Sequence, residues 1–407
     1  MSTELLYGLA KLGHRVDCYL PGVERPMPSR LGASENLTFV WGSNRWHWNR
    51  WYSRTEVTAF ASGLIARSVA SLRLRRQIVA RHRREPYDVL VQVGNIEGFA
   101  APRRLRRSVP LVMRPDTHMG GALKGLLAER ALFVRCQPLY VYLAVTAITA
   151  LRVAVQRIRI HRATLLVCVS GVFRDHLVHD YRFPRASTVV IPNPVRLERF
   201  EDLEKTLSEP PTVLVLGRIS LRKGIEDVVA LAQRMRERKM SVKLRIVGGP
   251  SLFSDYTKLL EDLPPENAEY VQRVPPSEVP AELARSDLLL APSKYDSFGL
   301  TAAEALAAGV PVVATTEVGA IESVDKAVAT AVPPGDVEAM MGAIADMLER
   351  LHSARDEMSA TARAEAERLF APEVVCTQIS DALEHLVAGA GAAAVGAAAT
   401  VASRDAP

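Results

Sequence analysis

Only four cysteines occur in 407 residues, Cys18, Cys136, Cys168 and Cys376, and no two form a C-x-x-C pair. That scarcity excludes a disulfide framework and a thiolate metal centre, and it reads as reduced thiols in a cytosolic protein. No apolar run reaches the ~18 residues of a spanning helix, and the longest, Pro138 to Leu151, falls short. No signal peptide is expected at Met1. Acidic residues are scarce in one half only. Residues 1–200 hold 31 Lys+Arg against 13 Asp+Glu, a net +18 that leaves −12 for residues 201–407. The first half therefore faces either an anionic partner, lipid headgroups or nucleic acid, or simply water.

What is present is ample apolar content, 48%, enough for two α/β domains at this length. In the second half, apolar strand-like runs (213–216, 244–247, 288–291, 310–314) alternate with helical stretches (225–238, 278–285, 301–308, 337–351). Such alternation implies a parallel, doubly wound sheet with ligands at the carboxyl ends of its strands. The first half alternates less regularly, with strands expected at 16–20, 37–41, 89–93, 111–113 and 165–169. Pro192, Pro194, Pro210 and Pro211 punctuate the junction. The expected division is 1–200, 201–386 and an Ala/Gly-rich tail, 387–407, too poor in large apolar groups to pack and expected to be disordered.

Two loops carry chemistry. The first runs Gly217-Arg218-Ile219-Ser220-Leu221-Arg222-Lys223-Gly224 between a strand and a helix. Three cations at a helix N-terminus oppose its dipole unless an anion sits among them, and a diphosphate satisfies that demand; exposed basic residues that bind nothing are the other reading. The second loop holds Asp296 and Glu304, eight positions apart, with the amides of Phe298, Gly299 and Leu300 between them. Carboxylates accept paired hydrogen bonds from vicinal diols, and free amides suit phosphate oxygens. Together these match a nucleotide sugar. Thr301-x-x-Glu304 is also a capping-box pattern, in which Glu304 would serve the backbone instead.

The stretches IPNPVRLERF (191–200), GRISLRKG (217–224), LRIVGG (244–249), SDLLLAPSKYDSFGLTAAEALAAGVPVVAT (286–315) and LAKLGHRV (9–16) resemble the retaining family-four glycosyltransferases of GT-B fold. The resemblance implies two Rossmann-like doubly wound domains facing a cleft, and transfer from a nucleotide-diphosphate sugar to a glycan, glycolipid or polysaccharide precursor. It places Gly217, Arg218 and Lys223 at the donor diphosphate and Glu304 on the ribose. Asp296, where the family usually has glutamate, contacts the transferred sugar beside Phe298, Gly299 and Leu300. Arg273 and Val274 fall in the nucleobase loop, and Asp116 or His118 lies near the sugar. No metal or other cofactor is required, because Arg218 and Lys223 can stabilise the leaving phosphate. The family opens with a strand and glycine-rich loop before the helix at 3–12, so the first sheet is expected to lack its first strand. Either the true start lies upstream or this half is impaired, which leaves a weakly active nucleotide-sugar-binding partner as the second reading.

All four tryptophans, Trp41, Trp46, Trp48 and Trp51, lie among arginines and precede a basic stretch from Leu64 to Arg84. An anionic membrane surface on the cytoplasmic side fits that composition, as do core tryptophans under a solvated helix; no nucleic-acid module is recognisable.

Overall fold

The computed structural model describes residues 2–20, 34–42, 56–97, 102, 105, 108–201, 203, 209–250 and 255–402. Trp46, Trp48 and Trp51 lie outside them.

The first half begins with α1 (Ser2–Lys11), β1 (Val16–Leu20), β2 (Leu37–Trp41), α2 (Glu56–Arg84), β3 (Leu90–Gly94) and β4 (Leu111–Pro115). It continues through α3 (Met119–Ala128), α4 (Arg130–Cys136), α5 (Leu139–Arg159), β5 (Leu165–Cys168), α6 (Gly171–Tyr181) and β6 (Thr188–Val190). Strands β3, β4, β5 and β6 form one parallel sheet in that order, while β1 and β2 pair separately. Among the described residues no strand joins the two parts, and Val91 and Val93 of β3 are each 44% exposed.

The second half comprises β7 (Thr212–Leu216), α7 (Ile225–Glu237), β8 (Lys243–Val247), β9 (Ala268–Val271), α8 (Val279–Ala284) and β10 (Leu288–Ala291), followed by α9 (Leu300–Ala307), β11 (Val312–Thr315), β12 (Ala329–Val332), α10 (Val337–Phe370) and α11 (Pro372–Ala402). Its six parallel strands run β12-β11-β10-β7-β8-β9. The chain winds outward from β7 to β9 and then crosses to β10 on the other side of β7. The switch point between β7 and β10 is where such sheets open a crevice for a ligand. Unlike the alternating strands of a half-solvated sheet, Val213, Leu214, Leu288, Leu289, Val312 and Val313 are all buried, as expected where helices cover both faces.

Two features differ from the expectation. Helix α11 leaves the second sheet and returns to the first domain, where Val375, Cys376, Ile379 and Leu383 pack with Leu5, Val112, Val167 and Ile191. It continues through residues 387–402, the stretch expected to be disordered; alanine has the highest helix propensity and supplies most of those positions. The apolar run at 138–151 is likewise part of a longer helical stretch. Among the described residues, Leu139–Arg162 is long and apolar enough to cross a membrane by length and composition, with a mean hydropathy of 1.5.

The junction is held by Arg114, which is 3% exposed at the end of β4. It donates to Ile191 O at 3.1 Å, Pro192 O at 2.9 Å and Asn193 Oδ1 at 3.0 Å. Burial lowers its pKa to about 10, so the guanidinium stays charged and its fork fixes the chain as it passes between the domains.

Candidate active site

The two loops expected from the sequence meet at the β7/β10 switch point. Gly224 makes their approach possible. Its φ is +70°, and a Cβ there would lie 2.1 Å from the Pro292 carbonyl oxygen. The backbone amides of Lys294 and Tyr295 then donate to Arg222 O at 3.0 and 3.4 Å. Between the loops lies an open cleft whose wall includes Gly217, Arg218, Lys223, Pro292, Ser293 and Thr301. Arg218 points its exposed side to solvent. Burial of part of its side chain, and then the like charge of Arg222, lower its pKa. An anion placed between the two would relieve that repulsion.

Lys223 is not left open. Its Nζ forms an ion pair and hydrogen bond with Asp296 Oδ2. Asp296 is 7% exposed and also accepts from the Phe298 amide at 3.4 Å. Burial pushes this carboxyl up, but Lys223 and Arg222 outweigh it and hold the group below its ordinary value. The family resemblance implied phosphate for Lys223 and the transferred sugar for Asp296. The structure joins them, so a donor must share Lys223 or draw it away.

Gly299, at φ +88°, starts α9, and a Cβ there would meet Val318 Cγ1 at 2.4 Å. No side chain caps this helix, so the capping-box pattern is not realised at its N-terminus. Glu304 instead faces Arg199 at 3.7 Å, and burial raises its pKa despite that cation. Phe298 is buried, with its ring at 90° to Phe370 and 5.6 Å away, whereas Leu300 is 40% exposed. Arg273 lies beyond β9 with its Cβ 3.1 Å from where a Cβ on Gly249 would sit, and Val274 packs on the core beside it. The strand-end loops therefore bring Gly217, Arg218 and Lys223 to the wall of one cleft. Asp296 is joined to it through Lys223, Phe298 and Gly299 precede α9, Leu300 and Glu304 lie within α9, and Arg273 and Val274 follow β9.

On the first-domain side His118 and Asp116 separate. His118 is 1% exposed and caps α3, accepting from the Gly121 amide at Nδ1 (3.2 Å), with Tyr295 Oη 3.0 Å from the same nitrogen. Asp180 Oδ2 lies 3.2 Å from Nε2. Burial lowers the imidazole pKa to about 4, against the pull of Asp180, so the ring is neutral near pH 7. Its place is under the second-domain loop through Tyr295. Asp116 is exposed at the carboxyl end of β4, and no hydrogen bond or ion pair joins it to Arg218, Lys223 or Asp296 among the described residues.

Sequence reasoning missed the contacts that set the cleft. Ser170 Oγ donates to Ser297 O at 2.8 Å, and Glu322 accepts from the amides of Gly171 (2.8 Å) and Val172 (2.6 Å) at the start of α6. Lys294 Nζ contacts Glu129 of the first domain at 2.9 Å and also pairs with Glu226. Burial, with Glu129 nearby, pushes Glu226 up to about 7 although Lys294 opposes the shift. A carboxyl whose folded pKa exceeds its unfolded value adds stability below that unfolded value and loses it as pH rises through the folded one. Glu226→Gln should therefore leave the melting temperature nearly unchanged at pH 5 and raise it at pH 8. A fall at pH 8, measured by calorimetry, would mean that the pairing with Lys294 outweighs burial.

Two Rossmann-like domains that meet at a crevice, with basic and acidic loops at the strand ends, define a GT-B glycosyltransferase. Residues 2–199 match the "Glycosyltransferase Family 4" model and residues 198–365 match "Glycosyl transferases group 1". The chain belongs to this family of glycosyltransferases. It is similar to the GDP-mannose-dependent alpha-(1-6)-phosphatidylinositol monomannoside mannosyltransferase of Mycolicibacterium smegmatis, 32% identical over 151 residues, covering 35% of this chain and 40% of that protein. It is also similar to the alpha-monoglucosyldiacylglycerol synthase of Streptococcus pneumoniae, 30% identical over 170 residues and 38% of each chain. The matches thus span well under two thirds of both relatives. Sucrose-phosphate synthase from Thermosynechococcus elongatus shares the fold with a TM-score of 0.67, 20% identity and coverage of 95% of this chain and 93% of that one.

Proposed function

We propose that this chain transfers a hexosyl group from a nucleotide-diphosphate sugar to a lipid-linked acceptor, with retention of anomeric configuration and without a metal. The observation that carries the reading is the junction of the two loops. A cationic pair, Arg218 and Lys223, lines one cleft with Thr301, Lys223 is joined to the buried carboxylate of Asp296, and Glu304 lies one helical turn beyond Thr301. The cations neutralise charge developing on the leaving diphosphate, which is the electrostatic demand of glycosyl transfer. Glu304, uncapped and raised in pKa by burial, accepts the ribose hydroxyls. Arg273 and Val274 flank the base. Asp116 faces the transferred sugar from the first domain, and His118 acts as a positioning residue through Tyr295.

A lipid acceptor is supported by the two relatives whose names carry phosphatidylinositol and diacylglycerol groups. It is supported also by α2, which exposes Arg73, Arg76, Arg83 and Arg84 together with Ile65, Val69 and Leu72. Basic and apolar groups side by side suit an anionic bilayer, here the cytoplasmic leaflet. The test incubates the protein, with a chelator present, with a panel of nucleotide sugars and glycolipid precursors, and reads the product's anomeric configuration by NMR. An α-linked product from an α-linked donor is expected; an inverted linkage, or transfer that needs an added divalent ion, contradicts the reading.

A further inference from the structure

One large apolar surface is not used by the donor cleft. Helix α5 buries Tyr142, Thr149 and Gln156 at seven-residue intervals on one side. On another it shows solvent a seam formed by Tyr140, Leu143, Ala147, Leu151, Ala154 and Ile158. These positions recur at steps of three and four, as one helical face requires. Tyr140 is 72% exposed, Leu143 58%, Leu151 66% and Ile158 69%. Only 17% of the most apolar window in Leu139–Arg162 is buried. Isolated exposed leucines are ordinary, but a continuous seam of this length marks an interaction surface.

Charge identifies the occupant. From Leu139 to Arg162 there is no Asp or Glu. Exposed cations stand near both ends, Arg130 before the helix and Arg157 in its last turn, while Arg135, also exposed, is paired with Asp262 at 3.2 Å. A second copy laid across the seam would bring these like charges together at either relative polarity. A bilayer offers hydrocarbon to the seam and anionic phosphate to the flanking arginines, and Tyr140 sits where an aromatic ring with a polar tip prefers the headgroup level.

We infer that α5 lies in the plane of an anionic membrane with its Tyr140–Ile158 seam immersed, anchoring the first domain to the surface that holds the acceptor. This rests on the lipid-linked acceptor proposed above, and it assigns to α5 the salt-resistant part of binding, with the arginines of α2 supplying the salt-sensitive part.

The experiment compares the full chain with Leu143→Gln/Leu151→Gln/Ile158→Gln and with Arg73→Gln/Arg76→Gln/Arg83→Gln/Arg84→Gln. Each is sedimented with phosphatidylcholine vesicles containing 30% phosphatidylglycerol or none, at low salt and at 0.5 M salt. Because the α5 positions are exposed, the melting temperature and binding of UDP or GDP should match the parent, which separates this test from the donor-site reading. Wild type should retain part of its binding to anionic vesicles at 0.5 M salt, and the α5 variant should lose at least tenfold in partitioning there. The α2 variant should lose binding mainly at low salt. An α5 variant that partitions like wild type overturns the inference. So does a wild-type dimer, seen by light scattering, that the α5 substitutions dissociate without altering vesicle binding. Loss in the α2 variant alone would overturn α5 as the anchor while leaving a membrane-bound acceptor standing.

Discussion

Lys223→Met should lower turnover about 100-fold and destabilise the fold by about 3 kcal/mol. The first effect follows from removing one preorganised donor to the developing phosphate charge, a loss of ~10²–10³ in comparable sites. The second follows from Asp296, which is 7% exposed and whose Oδ2 is held by Lys223. Breaking such a pair leaves a charge in a poorly solvated place, and the cost lies at the lower end of the roughly 3–5 kcal/mol range because Lys223 keeps 23% of its side chain exposed. Lys223→Met/Asp296→Asn should regain most of the stability and none of the turnover. The loss also has a pH signature. Asp296 has a depressed folded pKa, so the stability it contributes is present above the unfolded value and disappears as pH falls through the folded one. The gap between wild type and Lys223→Met should therefore close in acid. Denaturant titration of the three proteins measures this; a double variant as unstable as the single one would show that Lys223 stabilises by packing alone.

Arg114→Met is expected to cost about 3 kcal/mol without touching the donor loops. Its guanidinium serves three acceptors, Ile191 O, Pro192 O and Asn193 Oδ1. An unpaired buried acceptor costs ~1–3 kcal/mol, offset in part by removing a buried charge that has no carboxylate partner in these bonds. Arg114→Lys should recover only a fraction, since one ammonium lacks the planar fork. Chemical denaturation followed by far-UV circular dichroism tests both. Wild-type stability in Arg114→Met would show that the interdomain segment is held by other contacts.

The residues that the sequence exposed and those it hid differ in a physical way. Strands β7, β8, β10 and β11 were legible because each is a short apolar run bounded by turn residues, and β7 and β10 are each followed by a helix. Strands β6, β9 and β12 were not, and all three lie at sheet edges, where a half-solvated strand such as Ala268–Val271 carries polar residues among the apolar ones. The donor loops were legible because Arg218, Lys223 and Asp296 sit on local patterns of strand, loop and helix. The Lys223 pairing with Asp296 was hidden, since it joins residues 73 positions apart. His118 bonding to Tyr295 spans 177 positions, and Glu322 capping α6 spans about 150. Contacts of that kind come from domain packing, which leaves no periodicity in the chain. Helix α11 shows the same limit: its composition was readable, but its return to the first sheet depended on Val375, Ile379 and Leu383 meeting a surface built by residues 5–191.

The most direct measurement is calorimetric titration of nucleoside diphosphates, UDP, GDP and ADP in turn with EDTA present, into wild type and Arg218→Ala. Arg218 lines the cleft and makes no ion pair among the described residues, so its removal should leave the melting temperature unchanged. One nucleotide should bind the wild type, and Arg218→Ala should weaken that binding about tenfold or more, as expected for a charge-assisted contact of roughly 1.5–3 kcal/mol. Equal affinity in the two proteins, with both folded, would contradict the placement of the donor diphosphate in this cleft.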